Sequence, residues 1–135
     1  MSRSTVSNWL QGFTLIEVLI VIALISIIAA IAVPSMLASY HSAQVKSAYG
    51  TLATLRTAEG LYWAKHETYG NFTELADSYG IIDSRFSGGG TGPVWIGKVS
   101  YTFTVPPNVE TFEITAEIPG GTKIILRQDG RIIEE

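Results

Sequence analysis

Glu17 makes the sharpest chemical demand in this sequence. It follows Gly12-Phe13-Thr14-Leu15-Ile16 and precedes Val18 to Tyr40, 23 residues without a charged side chain. A carboxylate placed centrally in a bilayer costs about 2.5–3.5 kcal/mol, and less near the interface, so such a group marks function and calls for a partner. No cation lies within reach along the chain. Arg3 is on the far side of Gly12, and the next basic residue is Lys46. Scission before Phe13 would create an α-amine four residues from Glu17. The carboxylate of one molecule could then meet the amine of another where both are desolvated.

Other residues carry weaker chemistry. The chain has no cysteine, which excludes disulfides, thiolate metal sites and cysteine catalysis. His41 and His66 are single, with no second ligand at metal spacing, and read as surface histidines. Asp77 and Asp83 are too few to hold calcium and read as solvated loop acids. Ser87-Gly88-Gly89-Gly90-Thr91-Gly92-Pro93 reads as a flexible loop, and it lacks the Lys-Ser/Thr ending of a phosphate loop. Asn71-Phe72-Thr73 spells a glycosylation triplet and is taken as chance. No nucleophile–base pair or supported carboxylate pair is present, so an enzyme on a membrane anchor has no support. The net charge is -3 and the nine Lys and Arg are scattered, without the basic patch of a nucleic-acid binder. No cofactor, no metal and no specific nucleic acid are expected.

The elements that must position Glu17 follow from composition. Of 135 residues, 47% are hydrophobic and only 16% charged, against about 25% charged in a soluble domain. The excess is concentrated between Phe13 and Leu37. A span of about 20 apolar residues crosses a bilayer, and there a helix satisfies its own backbone. Arg3 and the initiating amine precede the span, which keeps that end cytoplasmic and faces the remainder outward. A secretory signal has an apolar region of only about 7–15 residues. Ser26, Ala29, Ala30 and Ala32 imitate a cleavage site, but Pro34 and the continuing helical pattern argue against one. A plain single-pass anchor accounts for everything except Glu17.

Gly12-Phe13-Thr14-Leu15-Ile16-Glu17, followed by Val18-Leu19-Ile20-Val21-Ile22-Ala23 and then Ala29-Ala30-Ile31-Ala32-Val33-Pro34, resembles the prepilin signature of type IV pilins and type II secretion pseudopilins, without a gap from Gly12 to Pro34. The resemblance implies that a membrane prepilin peptidase removes residues 1–12 by cutting between Gly12 and Phe13 and then N-methylates Phe13. It implies that Glu17 pairs with the amino terminus of a neighbouring subunit during assembly. Residues 13–40 would leave membrane lipid, helped by an inner-membrane assembly platform, to become the core of a homopolymer. The helix would loosen near Pro34 in the assembled state. Many relatives carry Gly where this chain has Ser26, whose hydroxyl can bond a carbonyl one turn back and bend the helix.

Residues 41–135 read as the globular head. From 41 to 66 the helix turns amphipathic, with Val45, Ala48, Leu52, Leu55 and Tyr62 at three- and four-residue steps. Tyr40, Tyr49 and Tyr62 read as packing residues. Gly50 and Gly60 weaken the helix by about 1 kcal/mol each relative to Ala and are taken to permit close packing. Residues 67–93 break the pattern, with a turn at Tyr69–Phe72 and a short helix from Thr73 to Ser78 capped by Asn71 or Thr73. Phe72, Leu75 and Tyr79 should face the main helix.

Two-residue alternation then predicts strands at Val99–Val105 and Phe112–Ile118, a third at Lys123–Arg127, and a hairpin at Asp129-Gly130 leading into Arg131–Ile133. An antiparallel meander of three or four strands on the long helix gives an α+β fold, the type IV pilin fold that the N-terminus implies. The function implied is a structural subunit of a type IV pilus, serving adhesion, motility or DNA uptake, anchored in the inner membrane before assembly and extracellular after it. The alternatives are a secretion pseudopilin and a minor pilin. Major pseudopilins carry a calcium loop near the C-terminus, whereas Gly130–Glu135 here is poor in ligands, which favours the pilus subunit.

Overall fold

Leu, Ile, Val and Ala without an interrupting charge leave the backbone of residues 15–40 one economical way to pair its polar groups, a helix. In a computed structural model describing residues 12–135 this helix, α1, runs Leu15–His66 and includes Pro34. The chain divides into two units between Ala38 and Ser39. Within the first unit the described helical side chains are all exposed. By length and composition this part of α1 can cross a membrane.

The second unit is built on the amphipathic part of α1. Ala48, Leu52, Leu55, Ala58, Glu59 and Tyr62 are its buried residues, spaced to form one stripe. The stripe packs on a five-stranded antiparallel sheet in the order β1-β2-β3-β4-β5. Its strands are β1 Val94–Ile96, β2 Val99–Val105, β3 Glu113–Glu117, β4 Lys123–Arg127 and β5 Ile132–Glu134. The α+β arrangement agrees with the expectation, but the sheet has one strand more. Val94–Ile96 is too short to show a period, and it pairs only because Gly97 turns it back on Val99.

The core-facing positions pair with one another where the register is regular, although Ser100 and Ile125 are buried on the other face as well. Tyr101 faces Ala116, Phe103 faces Ile114, Ala116 faces Ile124 and Ile114 faces Leu126, and all are buried in the shared core. The pairing slips between Phe103 and Val105, and such an irregularity turns the strand. Val105 is consequently exposed, unlike the buried position its alternation predicts. On the other face, Glu113 lies opposite Arg127 and Glu117 opposite Lys123. Both pairs are ion pairs, at 3.0 and 3.8 Å. The Glu117–Lys123 pair is exposed and contributes little to stability, whereas Glu113 of the other pair is half-buried.

The connection between α1 and the sheet carries α2, Phe72–Tyr79. Asn71 caps it: its side chain accepts from Glu74 N–H at 3.1 Å, and Asn71 N–H donates to Glu74 Oε2 at 2.7 Å. This reciprocal box gives acceptors to two of the N–H donors that a helix start leaves unpaired. Phe72 and Leu75 are buried, Phe72 stacking with Phe86 and Phe103, and Tyr79 O–H donates to Leu61 O of α1.

The glycine-rich segment after α2 is no loose loop. Phe72 N–H donates to Gly90 O at 2.8 Å, Gly90 N–H to Thr73 Oγ1 at 3.0 Å, and Phe103 N–H to Thr91 O at 2.8 Å. Gly92, at φ +98°, lies where a Cβ would come within 2.7 Å of Tyr101 O. Gly89 and Gly92 serve close approach, whereas Gly50 and Gly60 do not within this chain. A Cβ at either of the latter would meet nothing within 4 Å.

Two substitutions test this packing by denaturant unfolding of the full chain in detergent micelles. Leu52→Ala should lower the unfolding free energy by about 2–5 kcal/mol. Gly60→Ala should raise it by up to about 1 kcal/mol, since the helix gains a better former and no clash arises.

Candidate processing and assembly site

The first turn of α1 is organised by Thr14. Glu17 N–H donates to Thr14 O at 3.1 Å and to Thr14 Oγ1 at 3.3 Å, and Val18 N–H donates to Thr14 O at 3.3 Å. Thr14 therefore occupies the N-cap position, and Glu17 lies three residues on. Thr14-Leu15-Ile16-Glu17 spells a capping box, a local signal the sequence reading passed over. The position also sets the Glu17 charge at the positive end of the helix dipole, where an anion is favoured.

Gly12, Phe13, Thr14 and Glu17 line one open depression, so the Gly12–Phe13 peptide bond and the Glu17 side chain share a surface. Both Phe13 and Glu17 are exposed. Ion pairs among the described residues are Asp83–Arg85, Glu117–Lys123, Glu113–Arg127 and Asp129–Arg131, and Glu17 enters none of them. Arg3 and the rest of residues 1–11 lie outside the described residues.

Further along, Ser26 O–H donates to Ile22 O at 2.7 Å, the back-bond foreseen for a serine at this position. Pro34 lies inside α1. Its ring has no N–H to donate, so one rung of the helical ladder is lost there. The loosening expected at Pro34 belongs to the assembled state.

The weaker candidates are accounted for locally. Asp83 is held by Arg85 through bonds of 2.9 and 2.6 Å, which bring its carboxyl down to about 2. Asp77 accepts from Ser87 O–H at 2.8 Å. His66 stacks on Tyr62 with ring centroids 4.3 Å apart, and His41 lies beside Thr122 and Gly120. Among the described residues no three metal-ligating side chains gather. Of the tyrosines, Tyr62 is buried and Tyr40 exposed beneath Lys98.

The sequence reading also missed Glu59. It is 1% exposed, on the buried stripe of α1 between Leu55 and Tyr62. An acid at an apolar position of the helical period is its only local sign.

Residues 11–33 match the prokaryotic N-terminal methylation motif. Over 75 residues the chain is 37% identical to the type IV major pilin protein PilA of Myxococcus xanthus (strain DK1622), a match covering 56% of this chain and 33% of that protein. The chain thus spans about a third of the relative's length. Type IV pilins are structural proteins and not enzymes. An N-terminal methylation motif leading directly into an apolar helix, and an α+β head of helix and antiparallel sheet, make this chain similar to the type IV pilins in its N-terminal segment and its fold.

Proposed function

We propose that the chain is the precursor of a type IV pilus subunit that polymerises through residues 13–40. The observation that carries this reading is the placement of Glu17, a lone carboxylate in the first turn of an exposed, uncharged helix, sharing a surface with the Gly12–Phe13 bond. A prepilin peptidase would remove residues 1–12 and methylate the Phe13 amine. The new ammonium on one subunit would then neutralise the Glu17 carboxylate of its neighbour and set the axial register, as a buried polar pair does in a coiled coil.

Before assembly the helix would lie in the inner membrane with its N-terminus cytoplasmic and residues 41–135 outside. An assembly platform would then draw it into the filament. The major-pilin name of the Myxococcus relative supports this reading. So does the C-terminal segment, which is taken up by strand pairing: Lys123 and Glu135 exchange backbone hydrogen bonds of 2.9 and 2.8 Å. That segment is poor in the oxygen ligands that the calcium loop of a secretion pseudopilin requires. Adhesion, motility and DNA uptake are the roles such a filament would serve.

In the native host, mass spectrometry should show a mature chain starting at methylated Phe13, and Gly12→Val should retain residues 1–12. A mature start elsewhere would remove the processing assignment. Glu17→Ala should leave a stable, membrane-held protein and lower filament yield by about tenfold or more, the effect of losing about 1.4 kcal/mol or more of desolvated charge pairing. Unchanged yield would refute the register argument.

A further inference from the structure

Glu59 is a carboxylic acid buried in the head two turns before α1 ends. Its Oε2 accepts from Gly70 N–H at 3.0 Å, and its Oε1 has no hydrogen-bond partner among the described residues. Gly70 fits flat against the Tyr62 ring, which a Cβ would approach to 3.1 Å. The reversal between them begins at Glu67, a non-glycine residue at φ +56°, a conformation that the surrounding contacts must enforce. A neutral carboxyl suits this site, because an ionised one would be buried with a single hydrogen bond and an orphaned oxygen.

We propose that Glu59 and the Gly70 amide form a proton-operated latch, in which the reversal 67–71 closes over the neutral carboxyl and opens on ionisation, because the cost of burying the charge with one oxygen unpaired outweighs the stronger Gly70 hydrogen bond. What is released is a local segment. The segment is also tied by Glu67 N–H to Trp63 O at 2.8 Å, Tyr69 N–H to Asn108 O at 3.2 Å, the Asn71–Glu74 cap and the Tyr69 ring against Phe112. The β2–β3–β4 ladder shares none of them. A cavity of about 230 Å³ adjoins the latch, lined in part by Glu59, Trp63, Tyr69 and Phe112, and gives an ionised carboxylate a short route to water.

The groups facing Glu59 agree with this. Burial is the main influence and pushes its carboxyl up to about 8; the Gly70 N–H opposes the shift and the Glu74 charge on α2 adds to it. Tyr62, one turn along α1, is itself raised by burial and by the charges of Glu74 and Glu59. Arg56 and Asp129 line the adjoining cavity. Arg56 donates to Gly130 O at 3.1 Å and Asp129 pairs with Arg131 at 3.3 Å, so each is engaged away from the Glu59 carboxyl. Because the closed-state value lies above the ordinary 4.5, the closed latch binds the extra proton. Its stability is fully present below the ordinary carboxylate range and is lost as pH rises through the closed-state value. Opening should therefore grow across the neutral range, by at most about tenfold per pH unit for one proton.

The test is amide hydrogen exchange by NMR on the full chain in detergent micelles, across that range and corrected for intrinsic exchange. The open population at Gly70 should rise by about threefold to tenfold per pH unit between about pH 5 and 8, while Leu126 in the middle of β4 stays level. The Glu59 carboxyl carbon should titrate well above the ordinary carboxylate range. Glu59→Gln keeps the shape and should abolish the slope at Gly70. Titration of Glu59 in the ordinary range, one shared pH dependence at Gly70 and Leu126, or a slope that persists in the glutamine variant would each overturn the latch. Should the variant fail to fold, the two wild-type readouts decide alone.

Discussion

One helix must satisfy two solvents. Over residues 18–37 its surface is apolar on every side and exposed in the single chain, and water cannot hold such a surface. By length and composition a membrane can cover it, and the proposed filament would cover it with like helices. From Ala48 to Tyr62 the same helix is apolar along one stripe, and its own sheet covers that stripe. The change from a full apolar surface to a stripe separates what the chain completes by itself from what it leaves to other molecules. The filament reading and the architecture of the head both follow from this change.

The two carboxylates of α1 on which the functional argument rests show how surroundings assign roles to one functional group. Glu17 sits in the first turn, exposed and close to the Gly12–Phe13 bond. There it lies at the positive end of the helix dipole, and its proposed counterion belongs to a second molecule. Glu59 sits in the middle of the packed stripe, next to aromatic rings and a single amide donor. There burial favours its neutral form. Exchanging the two settings would exchange the two behaviours, since both side chains are the same glutamate.

The head is held without a covalent staple. Its C-terminal strand is paired to β4, and Tyr49 O–H on α1 donates to Glu134 Oε2 at 3.2 Å. Asp129-Gly130 turns the chain into that strand, with Gly130 at φ +78° and Arg131 N–H donating to Asp129 Oδ1 at 2.9 Å. The aromatic cluster of Phe72, Phe86, Tyr101, Phe103 and Phe112 joins α2 and the glycine-rich segment to the sheet. Burial of these rings helps hold the head together in a chain without cysteine.

Much of this was legible without coordinates, because it depends on local pattern. The apolar run, the amphipathic stripe, the Asn71 cap, the alternation of β2 and β3 and the Asp129-Gly130 hairpin are all read from neighbours within a few positions. The Gly12–Glu17 site is legible for the same reason, since its residues are contiguous. Tertiary structure alone decided the rest. Val94–Ile96 becomes a strand only when β2 lies beside it, and Val105 turns outward only because the register slips against β3. The glycines at 89 and 92 are needed because distant segments, Val94 and Tyr101, press against them. Glu59 looks like any helical glutamate until the reversal at Gly70 closes over it. Burial and close approach are properties of chain segments that meet in space, and no window along the sequence contains both partners.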